Sequence, residues 1–125
     1  MTFAEPVAAF GRTLGIEALT LDYRGVTQLL LDEGRALTLE ATDEELLLYL
    51  AAPAPFVELP RLAAALAAAN ARRLDGPALQ LGLRGTGADA MLIVLTRLAG
   101  RALSGSDIAR AADHIFGWHA AWQAT

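Results

Sequence analysis

TQLLLDEGRALTLEATDEELLLYLAA, residues 27–52, decides how this chain of 125 residues folds. On propensity alone it is helical, because leucine and glutamate are strong helix formers. Its punctuation says otherwise. DEGR at 32–35 and TDEE at 42–45 cut it into three runs with turns too short for helices. Asp-Glu-Gly, ending on Gly34, is a short hairpin signal. Between the two cuts Leu37, Leu39 and Ala41 alternate with Ala36, Thr38 and Glu40, the pattern of a strand with one wet face. The flanking runs, Leu29 to Leu31 and Leu46 to Leu50, are apolar on both faces. The stretch therefore predicts a three-stranded antiparallel meander.

Working outward, Phe3, Val7, Phe10 and Leu14 have helical spacing, and Gly15 ends that helix. Residues 15–25 form an irregular or short extended connection. After the meander, APAPF at 52–56 is a stiff link. A helix follows from Leu59, with Pro60 well placed in its first turn and Gly76-Pro77 as its stop. Leu79, Leu81 and Leu83 alternate with polar residues or glycine, which is a strand. GTGAD turns the chain, and Ala90 to Thr96 is apolar on both faces, so a central strand is expected there. Ser104 or Ser106 in SGSD caps a last helix that runs to about Trp122. Ile108, Ala111, Ala112, Ile115, His119 and Trp122 share one of its faces. The expected class is α+β: one domain over 1–125, with a five-stranded antiparallel sheet and three helices in the order α-β-β-β-α-β-β-α.

Hydrophobic residues make up 54% of the chain, above the usual ~45–50%. No apolar run reaches the roughly 18 residues of a membrane span. The first residues lack a basic region, and Glu5 and Pro6 interrupt any signal-peptide core. A cytoplasmic protein without membrane insertion is expected. With no cysteine, thiolate chemistry and disulfides are excluded. A net charge of −4 argues against nucleic acid as a partner. The charge is also uneven: residues 1–58 hold ten acids and three arginines, residues 59–125 four acids and seven arginines. Either the halves neutralise each other in the fold, or an acidic surface steers a basic partner.

The helix from Leu59 raises its own question, since LPRLAAALAAANARR has no charge between Arg61 and Arg72. At about 100° per residue, Leu59, Leu62, Leu66, Ala69 and Asn70 point one way, toward the sheet. Asn70 there is expected to be a hydrogen-bonded core residue. Ala64, Ala65, Ala68 and Ala71 point the other way, rimmed by Arg61 and Arg72. On one reading alanine, the best helix former, stands in water there at little cost. A second subunit covering that face is the other reading, and the twofold homodimer is its commonest form.

Convincing catalytic machinery is absent from the pattern. His114 and His119 lie five apart on the last helix and diverge by about 140°, so no shared metal and no cofactor are expected. Ser104 and Ser106 serve as caps, and GTG at 85–87 lacks the lysine and helix of a phosphate loop. Asp43, Glu44 and Glu45 crowd a solvated turn. Trp118 and Trp122 read as packing residues, with Trp118 and Phe116 at the edges of the buried stripe, where a partner is within reach. What remains is surplus apolar surface, suited to binding. Two modes fit: an extended peptide added to a strand edge, or an amphipathic helix in the groove between the first helix and the meander.

FGRTLGIEAL (10–19), LLLDEGRALTLEA (29–41), LAAALAAAN (62–70), ALQLGLRGTGADAMLIVLTRL (78–98) and IFGWHAAW (115–122) together resemble the class I chaperones of type III secretion systems. The resemblance covers nearly the whole chain and lies in element order, length, acidity and apolar spacing rather than in a short motif. It implies a homodimer in the cytoplasm of a Gram-negative bacterium. It implies binding of the N-terminal chaperone-binding segment of a secreted effector in non-globular form, with no catalysis and no cofactor. Carried onto this chain, the effector surface would use Val7, Phe10 and Leu14 of the first helix with Leu29, Leu31, Leu37, Leu39 and Leu47 of the meander. The dimer would use Ala64, Ala65, Ala68 and Ala71 with Leu79 and Leu81. The chain departs from the family in its alanine-rich second helix. A regulatory or sensory domain of the same fold that binds a folded partner is the alternative, and a small enzyme or ligand-binding subunit is a further one.

Overall fold

The structure is a computed structural model that describes residues 2–71 and 78–124, and the side chains of all of these except 68–71. The leucine-rich stretch folds as strands, and its punctuation residues show why. Between β1 (Val26–Leu30) and β2 (Ala36–Ala41) the chain reverses through Glu33 at φ 64° and Gly34 at φ 73°. Two left-handed residues in succession match the twist of a hairpin. Leu31 N–H closes the turn on the Arg35 carbonyl at 2.9 Å. The second reversal is clamped by Thr42, whose hydroxyl accepts from Glu45 N–H and donates to the Glu45 carbonyl, both at 3.1 Å. β3 (Glu45–Pro53) then completes the meander.

β4 (Gln80–Arg84) and β5 (Met91–Ala99) extend it to five antiparallel strands in the order β1-β2-β3-β5-β4. β3 is therefore the centre. β5, expected there, is one place off it but paired on both sides, which explains why both of its faces are apolar. The register sets Leu37 opposite Leu50, Leu39 opposite Leu48, and Leu50 opposite Val94. These residues and Leu46 and Leu92 fill one face of the sheet and are fully or almost fully buried. Each such leucine contributes roughly 1.5–3 kcal/mol relative to exposure.

Two helices cover that face. α1 (Ala4–Thr13) turns Phe3, Val7 and Phe10 inward. α3 (Gly105–Gln123) buries Ile108, Ala111, Ala112, Ile115, Trp118, His119 and Trp122, which is the expected stripe with Trp118 added. Its cap is Ser104, not Ser106. The Ser104 hydroxyl accepts from Asp107 N–H at 3.2 Å, and the Asp107 carboxylate accepts from Ser104 N–H at 2.9 Å. These backbone and side-chain bonds from Ser104 hold Asp107 below the usual carboxylate range. α1 and α3 meet at Gly105, where an added Cβ would stand 2.6 Å from the Ala9 Cβ. No side chain but hydrogen fits there.

α2 (Leu59–Ala71) is turned from its expected setting. Ala65 is buried and Leu62 half-buried, whereas Leu59 is 80% and Leu66 44% exposed. The cause is Arg61. Its guanidinium lies 4.2 Å from the Trp122 ring centroid and donates to the Trp122 carbonyl at 3.1 Å. That double grip at the end of α3 fixes the rotation of α2, and small Ala65 lets its backbone settle close to the core. The expectations for the side chains of Ala68, Ala69, Asn70 and Ala71, and for Arg72, Gly76 and Pro77, lie outside the described residues.

A candidate client groove and a second apolar surface

β1 is an edge strand, and the groove opens beside it. Leu29 stands opposite Leu37 on the helix-bearing face of the sheet, and Leu31 follows in the same phase. α1 stops one turn short of covering them and leaves Leu14 half-exposed at its end. α3 passes on the far side with Ala109, Ala112, Asp113 and Phe116, one face at helical spacing. Because two of those four are alanines, the walls do not close. A cleft of about 310 Å³ remains, with Phe10 and Leu37 as its floor and Leu14, Leu29, Leu31 and Phe116 around it. Arg35 from the β1–β2 turn lies over the Phe116 ring at 5.9 Å and props that wall.

Of the eight residues proposed for the partner surface, five meet here: Phe10, Leu14, Leu29, Leu31 and Leu37. Val7 and Leu39 are wholly buried in the subunit core, because each points between the helices and the sheet. Leu47 is across the sheet, opposite Glu40 on the other face, since its place in the pleat is one residue out of phase with the core. The wall from α3 was not foreseen. Phe116 at the margin of the α3 stripe was its only trace in the sequence.

A second apolar surface surrounds α2. Ala64 is exposed with Leu59 and Leu66, and Leu81 on β4 is half-buried. Leu83 is 44% exposed, and Phe56 is 72% exposed in a left-handed conformation, φ 54°. Phe56 N–H donates to the Gly87 carbonyl at 2.8 Å, which brings it to the β4–β5 turn. Ala65 and Leu79, expected on this surface, are instead packed in the subunit core.

Polar chemistry is sparse. His119 is buried, and among the described residues its Nε2 has no hydrogen-bond partner. Burial pushes its pKa down, nearby Arg35 adds to that, and Glu33 opposes it. On the other sheet face, burial and the Glu40 carboxylate raise the Tyr49 phenol. Among the described residues no three His, Cys, Asp or Glu side chains come together to hold a metal, and no helix is long and apolar enough to cross a membrane.

No protein-family model and no curated protein sequence matches the chain. Solved structures do. A chain of the HopA1–SchA chaperone–effector complex superposes with a TM-score of 0.72 at 24% identity, over 96% of this chain and 91% of that one. The fold is that of the class I type III secretion chaperones. The same chaperone fold appears in the Yersinia pestis type III secretion chaperone SycH in complex with a fragment of YscM2. There the TM-score is 0.69 at 16% identity, over 93% of this chain and 95% of that one. The ExsC–ExsE complex matches at 0.65 and 20%, over 90% and 86%. Against this chaperone fold, the element order and sheet expected from the sequence stand as observed.

Proposed function

We propose that this chain is a dimeric, cytoplasmic type III secretion chaperone. It binds the N-terminal chaperone-binding segment of a secreted effector in non-globular form and keeps it competent for export. It needs no cofactor and performs no catalysis. The observation that carries this reading is the open apolar cleft between α1, α3 and β1, on a fold whose similar structures include a chaperone–effector complex. A cleft of that size admits bulky side chains from an extended or helical segment. The free edge of β1 beside it adds backbone hydrogen-bonding capacity for a segment in strand form. Burial of the segment's anchors offsets its ordering, which costs of order 2–5 kcal/mol or more. The second apolar surface, with Leu59, Leu66 and Leu83, supports pairing with a second copy.

The test is calorimetric titration with the N-terminal segment of a secreted protein encoded beside this gene. Leu29→Asp and Leu14→Asp together should abolish binding while circular dichroism stays unchanged. Undiminished affinity in that variant would remove the groove as the site. A segment that folds into a globular unit on binding, read by NMR, would remove the non-globular part of the reading.

A further inference from the structure

Resting on the reading of the groove as the client site, we propose that Asp113 makes the groove select a segment with an arginine or lysine beside its apolar anchors. Among the described residues that line the groove, Asp113 is the one that carries a charge. Helical spacing puts it on the same face of α3 as Ala109, Ala112 and Phe116, at the lip of the cleft, and it is exposed. Of the neighbouring charges, Arg35 lies over the Phe116 ring and donates Nε–H to the Asp32 carbonyl at 3.1 Å, and the others are paired. Asp107, on the same helix, is bound by Ser104 and Arg110. Arg12, near the end of α1, pairs with Glu5 at 3.2 Å. Thr13, the other polar lining residue, donates its hydroxyl to the Phe10 carbonyl at 2.6 Å. Asp113 itself forms no ion pair among the described residues.

A free carboxylate at the rim of an apolar cleft has a definite consequence. A segment that covers it with hydrocarbon desolvates the charge without a partner, and binding suffers. An acidic segment is repelled. A guanidinium or ammonium there keeps the carboxylate paired, so the same group favours one class of client and works against the others. The cleft's other walls come from α1, β1 and β2, in the half of the chain where ten acids face three arginines.

The test uses short random peptides displayed on phage and panned on the full chain, on Asp113→Asn, on Asp113→Lys and on Leu29→Asp. Peptides kept by the unaltered protein should combine bulky apolar residues with arginine or lysine a few positions away. Asp113→Lys should switch that companion to aspartate or glutamate. Changing the basic residue of a selected peptide to glutamine should weaken binding about two- to fivefold, the range of a partly exposed ion pair. Asp113→Asn should produce the same loss, and the two changes together no further loss. Apolar enrichment without a basic companion, or an equal loss from the glutamine change in Asp113→Asn, would overturn the selection by Asp113 and leave the groove in place. Equal binding of the selected peptides to Leu29→Asp would overturn the groove, and the proposal with it.

Discussion

Phe10 on α1 and Leu14 at its C-cap are four residues apart and have different duties. Phe10 is 1% exposed and Leu14 is 50% exposed. Phe10→Asp should therefore unfold the subunit, since losing a buried phenylalanine ring alone costs about 3–5 kcal/mol and the new carboxylate would be buried unpaired. Urea denaturation should show no folded baseline, or one much shortened. Leu14→Asp should leave the urea midpoint nearly unchanged, the usual result at an exposed site, and remove client binding. If both variants folded alike, the floor and the lip of the groove would not be distinct. His119 gives a pH dependence. Its folded pKa is held below the unfolded value of 6.5 by burial, then by Arg35. The unfolded chain therefore takes up the proton first. The stability tied to a neutral His119 is complete above about pH 6.5 and falls as pH drops from there toward the folded pKa. Urea midpoints at pH 7.5, 6.5 and 5.5 should decline more steeply in the unaltered protein than in His119→Gln. Parallel slopes would mean that His119 is not the group responsible.

At the scale of elements, the positions of Arg61 and Gly105 decide how helices sit on a sheet whose pattern was plain beforehand. The meander was legible because a period of two survives a leucine-rich composition: Leu37, Leu39 and Ala41 mark the inner face whatever their neighbours are. The α3 stripe was legible because Ile108, Ile115 and Trp122 are large and recur at helical spacing. α2 was not legible in the same way. Among its alanines no face outweighs another by much, so its rotation was set by a contact 61 residues away, Arg61 on Trp122. No local pattern carries that information. The groove was half legible for the same reason: α1 and the meander declared their leucines, but the α3 wall arises only where helices meet. Two outcomes follow at this scale. Arg61→Ala removes a ring contact worth about 0.5–2 kcal/mol and a hydrogen bond worth about 1 kcal/mol. It should lower the urea midpoint and shift tryptophan emission, because Trp122 loses its cover. Gly105→Ala forces a methyl into the 2.6 Å approach to Ala9. It should push α1 off α3, destabilise by about 1–3 kcal/mol as overpacking does, and widen the groove enough to weaken client binding. Gly105→Ala with unchanged stability would show that α1 yields freely at that crossing.

For the whole molecule, the two apolar surfaces belong to different parts of the architecture. The groove is built by α1, α3, β1 and β2, whereas Leu59, Leu66 and Leu83 belong to α2 and β4 at the other sheet edge. No groove residue is shared with the second surface. Pairing of subunits and capture of a client should thus be separable. Leu59→Glu with Leu66→Glu places two carboxylates on a face exposed in the single subunit, so the fold should survive while a pair of like faces repels. With pairing through this face as proposed, sedimentation at micromolar concentration should show a dimer for the unaltered chain and a monomer for the variant. A peptide that fills one groove should bind that monomer as well as it binds the dimer. A long client segment should not. On a dimer its second anchor binds at the effective concentration set by the intervening chain, a gain of about 10²–10⁴ in favourable geometry. On a monomer that gain disappears. Loss of long-segment affinity with short-peptide affinity retained would mean that two grooves act on one client. Equal loss of both would mean that the groove is shaped by the subunit contact itself, and equal retention that each subunit holds its client alone.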